Sequence, residues 1–326
     1  MIRVDSPVTD RFDADRFDAG RFEASRARLA SLAYRLLGSA TDAEDAVQDA
    51  FLHWQGTDRQ RIEVPEAWLT KVVTNLCLDR LRSAHARRER SAGAWLPEPL
   101  LDSDPMLGPA DSFEQRESVS LAVLTLMERL SPLERAVYVL REAFAYRHAE
   151  IAGILDITES ASQQHLHRAR GRLTTARRGT GEVEPAAARR IVEEFLAAAT
   201  SGRTERLVAL LTDDATALSD GAGQAEKLLR YDTPHRIAAV LRAGFKPTPA
   251  KRRLAGGPPA IHYALVNGAP ALLFVRVEQV LGAVTFDLAG GRIATVRSIA
   301  APARLTRLAD AWRRRETDDA PLIAEW

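Results

Sequence analysis

The chain has 326 residues, 46% of them hydrophobic, and a formal net charge of +1. This is long enough for two or three domains and apolar enough to fill their cores, which excludes a disordered protein. Basic and acidic clusters cancel in the total, so any phosphate-binding face has to be local. The lone cysteine, Cys77, excludes an intramolecular disulfide and a multi-cysteine zinc site. No apolar run approaches the roughly 18 residues of a membrane span, so a cytoplasmic protein without membrane contact is expected.

Residues 1–25 carry a degenerate repeat, RFDAD, RFDAG, RFEAS, with Phe12, Phe17 and Phe22 evenly spaced. A five-residue period suits neither helix nor strand, and the stretch reads as an arm leading into the first helix. That helix is expected over 26–37, with Leu29, Leu32, Ala33, Leu36 and Leu37 inward and Gly38 ending it. Thr41 and Glu44 form a capping-box pattern for the next helix, DAEDAVQDAFLHW, whose stripe is Val47, Phe51 and Trp54. Its outer face carries Asp42, Glu44, Asp45, Gln48 and Asp49. Solubility and the helix dipole explain such acids as readily as docking to a basic protein surface.

After a polar loop, residues 65–90 read PEAWLTKVVTNLCLDRLRSAHARRER. Pro65 and Glu66 suit a helix start, and Trp68, Leu69, Val72, Val73, Leu76 and Leu81 make an apolar stripe. Opposite lies a polar ridge of Lys71, Asn75, Arg82, Arg87, Arg88 and Arg90 that suits phosphates. Residues 91–109 are rich in Pro, Gly and Ser and contain WLPEP at 95–99, a linker whose Trp95 and Leu96 are candidates for anchoring on a neighbour. Helices are expected over 111–130 and, behind a Ser131-Pro132-Leu133-Glu134 capping box, over 131–143. A short helix ending near Leu155, a tight turn and a Thr158-capped polar helix then give a helix-turn-helix pattern. Ala161, Leu166, Ala169 and Leu173 are expected inside, and Ser160, Ser162, Gln163, Gln164, His167, Arg168 and Arg170 outside. His165 and His167, two residues apart, make a poor metal pair.

Beyond a glycine-containing boundary, helical patterns over 186–200, 205–211 and 234–243 precede strand-like runs at 261–266, 271–277, 280–288 and 293–299. Asn267-Gly268 and Gly290-Gly291 are hairpin signals, and the whole reads as an α+β cone with a curved antiparallel sheet.

These segments, in this order, resemble a bacterial extracytoplasmic-function sigma factor. The acidic helix resembles the part of region 2 that docks on core RNA polymerase, which implies contacts from Asp45, Gln48 and Asp49. The Pro65 helix resembles the part that opens the minus-ten element, with Asn75 near a flipped-out base and Lys71, Arg82, Arg87 and Arg88 on phosphates. SPLERAVYVLREAFAYRHAEIAGILDITESASQQHLHRAR resembles region 4, which reads the minus-thirty-five element. The implied architecture is an arm (1–25), an all-α region 2 (26–92), a linker (93–112), an all-α region 4 (113–178), a SnoaL-like, nuclear-transport-factor-2-like domain (184–310) and a tail (311–326).

In the group of sigma factors with such a fused domain, that domain is implicated in tuning activity in place of a separate anti-sigma protein. Its DGGGK-like loop appears here as Asp220-Gly221-Ala222-Gly223-Gln224, and its NPDKL-like segment as Ala301-Pro302-Ala303-Arg304-Leu305. The expectation here is that the Asp220 loop and the linker around Trp95, Leu96 and Pro97 meet and set the spacing of the two DNA-binding regions, with Pro302 and Leu305 as further regulatory contacts. The competing readings of the cone are a small-ligand sensor and an isomerase or cyclase using Asp213, Asp214, Asp220, Asp232 or His235, the first two reading as turn residues. No cofactor is implied.

Overall fold

The computed structural model describes residues 7–58, 61–88, 96–108, 117–173, 183–224, 228–316 and 319–326, without the side chains of 7–19, 21 and 84–88. Trp95 and Arg90 lie outside the described residues, as do the side chains of Arg87 and Arg88.

Helix α1 (Pro7–Leu37) corrects the arm expectation, since it begins ahead of the repeat and runs through it, and Phe22 is buried with its ring 4.9 Å from that of Phe51. Helix α2 (Ala40–Gly56) packs on α1 through Ala43, Val47, Ala50 and Trp54. Its N-cap is Ser39, not the expected Thr41. The reason lies in the distant linker, where Glu98 accepts from Ser39 Oγ (2.8 Å), Ala40 N (3.0 Å) and Thr41 N (3.3 Å). A carboxylate at that positive helix end replaces a local box. Helix α3 (Pro65–Arg88) buries Leu69, Val73, Cys77 and Leu78, while Trp68 stays half-buried with its ring 5.6 Å from that of Trp54.

The second helical unit holds α4 (Leu121–Met127), α5 (Pro132–Tyr138) with a π-turn at Val139–Ala143, α6 (His148–Leu155) and α7 (Glu159–Leu173). The Ser131–Glu134 capping box forms as expected.

The third unit is an α+β cone. Helices α8 (Pro185–Ser201), α9 (Thr204–Leu210), α10 (Pro234–Phe245) and α11 (Pro249–Leu254) accompany strands β1 (Leu211–Ser219), β2 (Leu229–Tyr231), β3 (Ala260–Val266), β4 (Ala269–Arg276), β5 (Gln279–Ala289) and β6 (Arg292–Ile299). Helix α12 (Pro302–Arg314) follows, crossing the expected domain boundary at residue 310. The sheet order is β2-β1-β6-β5-β4-β3, and β1 runs parallel to β6, so the sheet is mixed, not purely antiparallel. Asp213 and Asp214 lie within β1, where sequence had suggested a turn.

Side chains alternate between the two faces of this sheet. Leu272, Val284 and Phe286 join Phe195 and Phe245 in the cone's interior. Leu273, Ala283 and Ile299 face the other way and belong to one continuous core with Leu305 and Trp312 of α12, Leu96 and Leu100 of the linker, and the two helical units. The linker is therefore a buried strap at the seam, with Leu96 and Pro97 both buried.

Candidate nucleic-acid interface

Helix α6 ends on Asp156, left-handed at φ 53°, and the Thr158 hydroxyl accepts from Ala161 N at 3.1 Å to start α7. Leu166, Ala169 and Leu173 then point inward. Ser160, Gln163, Gln164, His167 and Arg168 line one surface depression on the outward side. Neutral donors and acceptors beside cations can reach base edges and phosphates respectively. Arg168 is tethered, with Nε 3.3 Å from Glu134 and Nη2 3.0 Å from His165 Nδ1. Ser162 corrects the sequence reading: it is fully buried, its hydroxyl 2.9 Å from His148 Nδ1. It shares the inward stripe of Leu166, Ala169 and Leu173, and a polar partner on α6 lets a hydroxyl sit there. Its side chain is not part of the outward surface.

The α3 ridge is differently placed. Asn75 is half-buried, and Lys71 Nζ donates to Asp156 Oδ1 (2.7 Å) and Gly153 O (3.1 Å), both in the helix-turn-helix. Arg28 of α1 donates to Thr70 Oγ1 (3.3 Å) and to the Tyr146 hydroxyl (2.7 Å), which itself lies 3.3 Å from Thr70 Oγ1. Arg82 is exposed and pairs with Asp79 at 3.0 Å. The first turns of the ridge are thus pinned beneath the second helical unit.

Beside that seam Arg135 is buried, paired with Glu128 at 2.7 Å, while its Nε and Nη2 have no partner among the described residues. Burial pulls its guanidinium down to about 10 and pushes the neighbouring Cys77 thiol up to about 12. A half-satisfied buried cation weakens the contact that encloses it.

On α2, Asp45 and Gln48 are exposed and Asp49 is half-buried. Arg80 of α3 lies 2.7 Å from Asp49, 3.8 Å from Asp45 and 4.0 Å from Asp42. Arg80 stands apart from the ridge cations read in the sequence; three carboxylates on one face were the signal that a cation should sit among them.

The Asp220 carboxylate accepts from Ala300 N, Ala301 N and Ala222 N at 2.8–3.1 Å, fixing the start of α12. A Cβ on Gly223 would meet Ala301 Cβ at 3.3 Å, and Gly221 is left-handed at φ 59°. Among the described residues the loop thus grips the chain at Ala300 and Ala301, at the start of the Ala301–Leu305 segment, where contact with the linker was expected. The linker is instead held by α12 and by the β3–β4 hairpin. Arg304 donates to Leu96 O, and Arg307 makes a two-pronged pair with Asp104 at 2.7 and 2.8 Å and reaches Glu44 on α2. Leu305 is buried and Pro302 occupies the first turn of α12. At the hairpin, Asn267 bonds Leu100, Tyr34 and Val119. Sequence had marked Asn267 only as a turn residue and had not singled out Arg307.

Within the cone, Phe195, Phe245, Phe274, Phe286 and Trp326 form a chain of ring contacts at 4.8–5.4 Å. Asp213, Asp214, Asp232 and His235 are exposed outside it. None of these four polar groups is enclosed by the cone's interior. Among the described residues, no helix is long and apolar enough to cross a membrane.

Two family models match, Sigma-70 region 2 over residues 21–88 and Sigma-70 region 4 over 120–173. Among curated relatives, the chain is 40% identical over 207 residues to the ECF RNA polymerase sigma factor SigJ of Mycobacterium tuberculosis, a match spanning 63% of this chain and 65% of that one. It is 30% identical over 286 residues to the probable ECF RNA polymerase sigma factor SigI of the same species, spanning 87% and 93%. The crystal structure of M. tuberculosis SigJ superposes with a TM-score of 0.65 at 30% identity, covering 89% of this chain and 98% of that one.

Proposed function

The chain belongs to the extracytoplasmic-function (ECF) RNA polymerase sigma factors, and from that premise we propose how its parts divide the work of promoter recognition. Asp45, Gln48 and Asp49 dock on core polymerase, with Arg80 holding the carboxylates of Asp45 and Asp49 in one orientation. Ser160, Gln163, Gln164, His167 and Arg168 read the minus-thirty-five element. Asn75 receives the extruded minus-ten base while Lys71, Arg82, Arg87 and Arg88 hold phosphates.

The single observation that carries the mechanism is the Lys71 ammonium bonded to Asp156 and Gly153. A phosphate ligand spent on the helix-turn-helix cannot hold DNA, so the described arrangement is a closed one that promoter engagement must open. The fused cone tunes that opening, because its α12 grips the linker through Arg304 and Arg307 and touches the polymerase-docking helix at Glu44.

The test is reconstituted transcription with core polymerase and mapped start sites. Arg307→Ala leaves buried Asp104 without its cation, a loss of about 1.5–3 kcal/mol at the grip. It is expected to change initiation at the native promoter without changing the start site. Initiation identical to the parent would remove the α12 grip from the mechanism.

A further inference from the structure

We propose that Asn267 is a clasp that holds region 2, the linker and region 4 together from the tip of the β3–β4 hairpin. The inference rests on the reading that the cone tunes the sigma regions, and it names a further residue, beside Arg304 and Arg307, through which it does so.

A hairpin tip needs only a residue that tolerates a left-handed backbone, and Asn267 supplies that at φ 51°. Its carboxamide goes much further. Oδ1 accepts from Leu100 N of the linker at 2.8 Å, and Nδ2 donates both to the Tyr34 hydroxyl of α1 and to Val119 O at the entry to region 4, each at 2.8 Å. The main-chain N–H donates to Leu100 O at 2.9 Å. Next to it, Gly268 N donates to Asp102 at 2.7 Å.

Asn267 is only 1% exposed, so water cannot replace these partners while the arrangement lasts. One nitrogen bridges the two DNA-binding regions. Separating Tyr34 from Val119 must break at least one of its bonds. The chain of bonds continues, because the Tyr34 hydroxyl donates to Glu98 O at 2.8 Å and the Glu98 carboxylate caps α2. Burial raises the Glu98 carboxyl above its usual range, against the pull of the hydrogen bonds from Ser39, Thr41 and Ala40. The hairpin tip is thus wired to the start of the polymerase-docking helix.

The test uses the full chain carrying fluorophores at Leu52→Cys and Arg129→Cys, both exposed, with Cys77 too buried to label. Asn267→Gly keeps the left-handed turn and removes the carboxamide; Tyr34→Phe removes only the bridging hydroxyl. Energy transfer is expected to report a longer, broader separation of regions 2 and 4 in Asn267→Gly, and a smaller shift the same way in Tyr34→Phe. Should Asn267→Gly fail to fold, Tyr34→Phe decides. A parental distance distribution in the folded variants overturns the clasp. Run-off transcription by the same proteins with core polymerase separates the two ideas: a longer distance with unchanged initiation supports the clasp and sinks the modulatory reading.

Discussion

Helix α7 presents Ser160, Gln163, Gln164 and His167 on an open surface, whereas the α3 ridge has its first cation bonded into the turn that precedes α7. The two readers therefore stand in different states within one conformation. The Lys71–Asp156 pair is partly exposed, and such pairs contribute only about 0.2–1 kcal/mol. Coverage of the ridge thus depends on packing, on Arg28 and Tyr146, and on the linker strap as much as on charge. On the proposed opening, promoter affinity measured on the free protein would include the free energy of lifting region 4 away and would fall with the fraction of open chains.

The largest expected effect that sharpens this contrast belongs to the covered face. Asn75→Ala should reduce promoter-specific initiation about a hundredfold, since base extrusion costs a few kcal/mol and each 1.4 kcal/mol is about tenfold. Run-off transcription on a matched and a pre-melted promoter measures it, with the defect shrinking on the pre-melted one. On the open face, Gln163→Ala should cost about 1–3 kcal/mol for the preferred minus-thirty-five sequence and relax choice at one base pair. Competition binding across base-substituted duplexes reads this, and an equal loss on every duplex would assign Gln163 to phosphate instead.

Ser162→Ala should behave unlike its neighbours on α7, losing about 1 kcal/mol of stability in a denaturant titration while keeping sequence preference. A changed preference would put that hydroxyl back on the DNA side. Smallest is Arg82→Ala, which should lower the slope of log affinity against log salt by about 0.9, with little change in preference. An unaltered slope would remove Arg82 from the phosphate face.

Local patterns made much of this legible. The capping box at Ser131, the turn glycines, the Asn267-Gly268 hairpin and the apolar stripes of α2 and α7 follow from spacing alone, and the matched order of segments pointed to the family. The errors share a cause. Ser39 and not Thr41 caps α2 because Glu98, 59 residues away from Ser39, supplies the carboxylate. Ser162 is buried because His148 answers it across the turn. Asp213 and Asp214 looked like a turn, yet they stand in β1, where Asp213 faces Arg292 at 3.1 Å. The five-residue repeat hid a helix whose described aromatic, Phe22, finds its place only against Phe51. In the candidate site, identities were readable from the residues, while engagement was not: nothing in WLTKVVTN shows that Lys71 meets a helix-turn-helix carboxylate 85 positions on.

The central claim is that region 4 must leave the α3 ridge before the promoter opens. A chain carrying Lys71→Cys and Gly153→Cys, where a new Cβ at 153 meets open space, can be bridged by a short bismaleimide with a reducible spacer, buried Cys77 taking no part. The bridged protein should fail to initiate with core polymerase and should recover on reduction to the level of its own unbridged control. Equal initiation before and after reduction would show that the closed seam is compatible with open-complex formation, and would contradict the account.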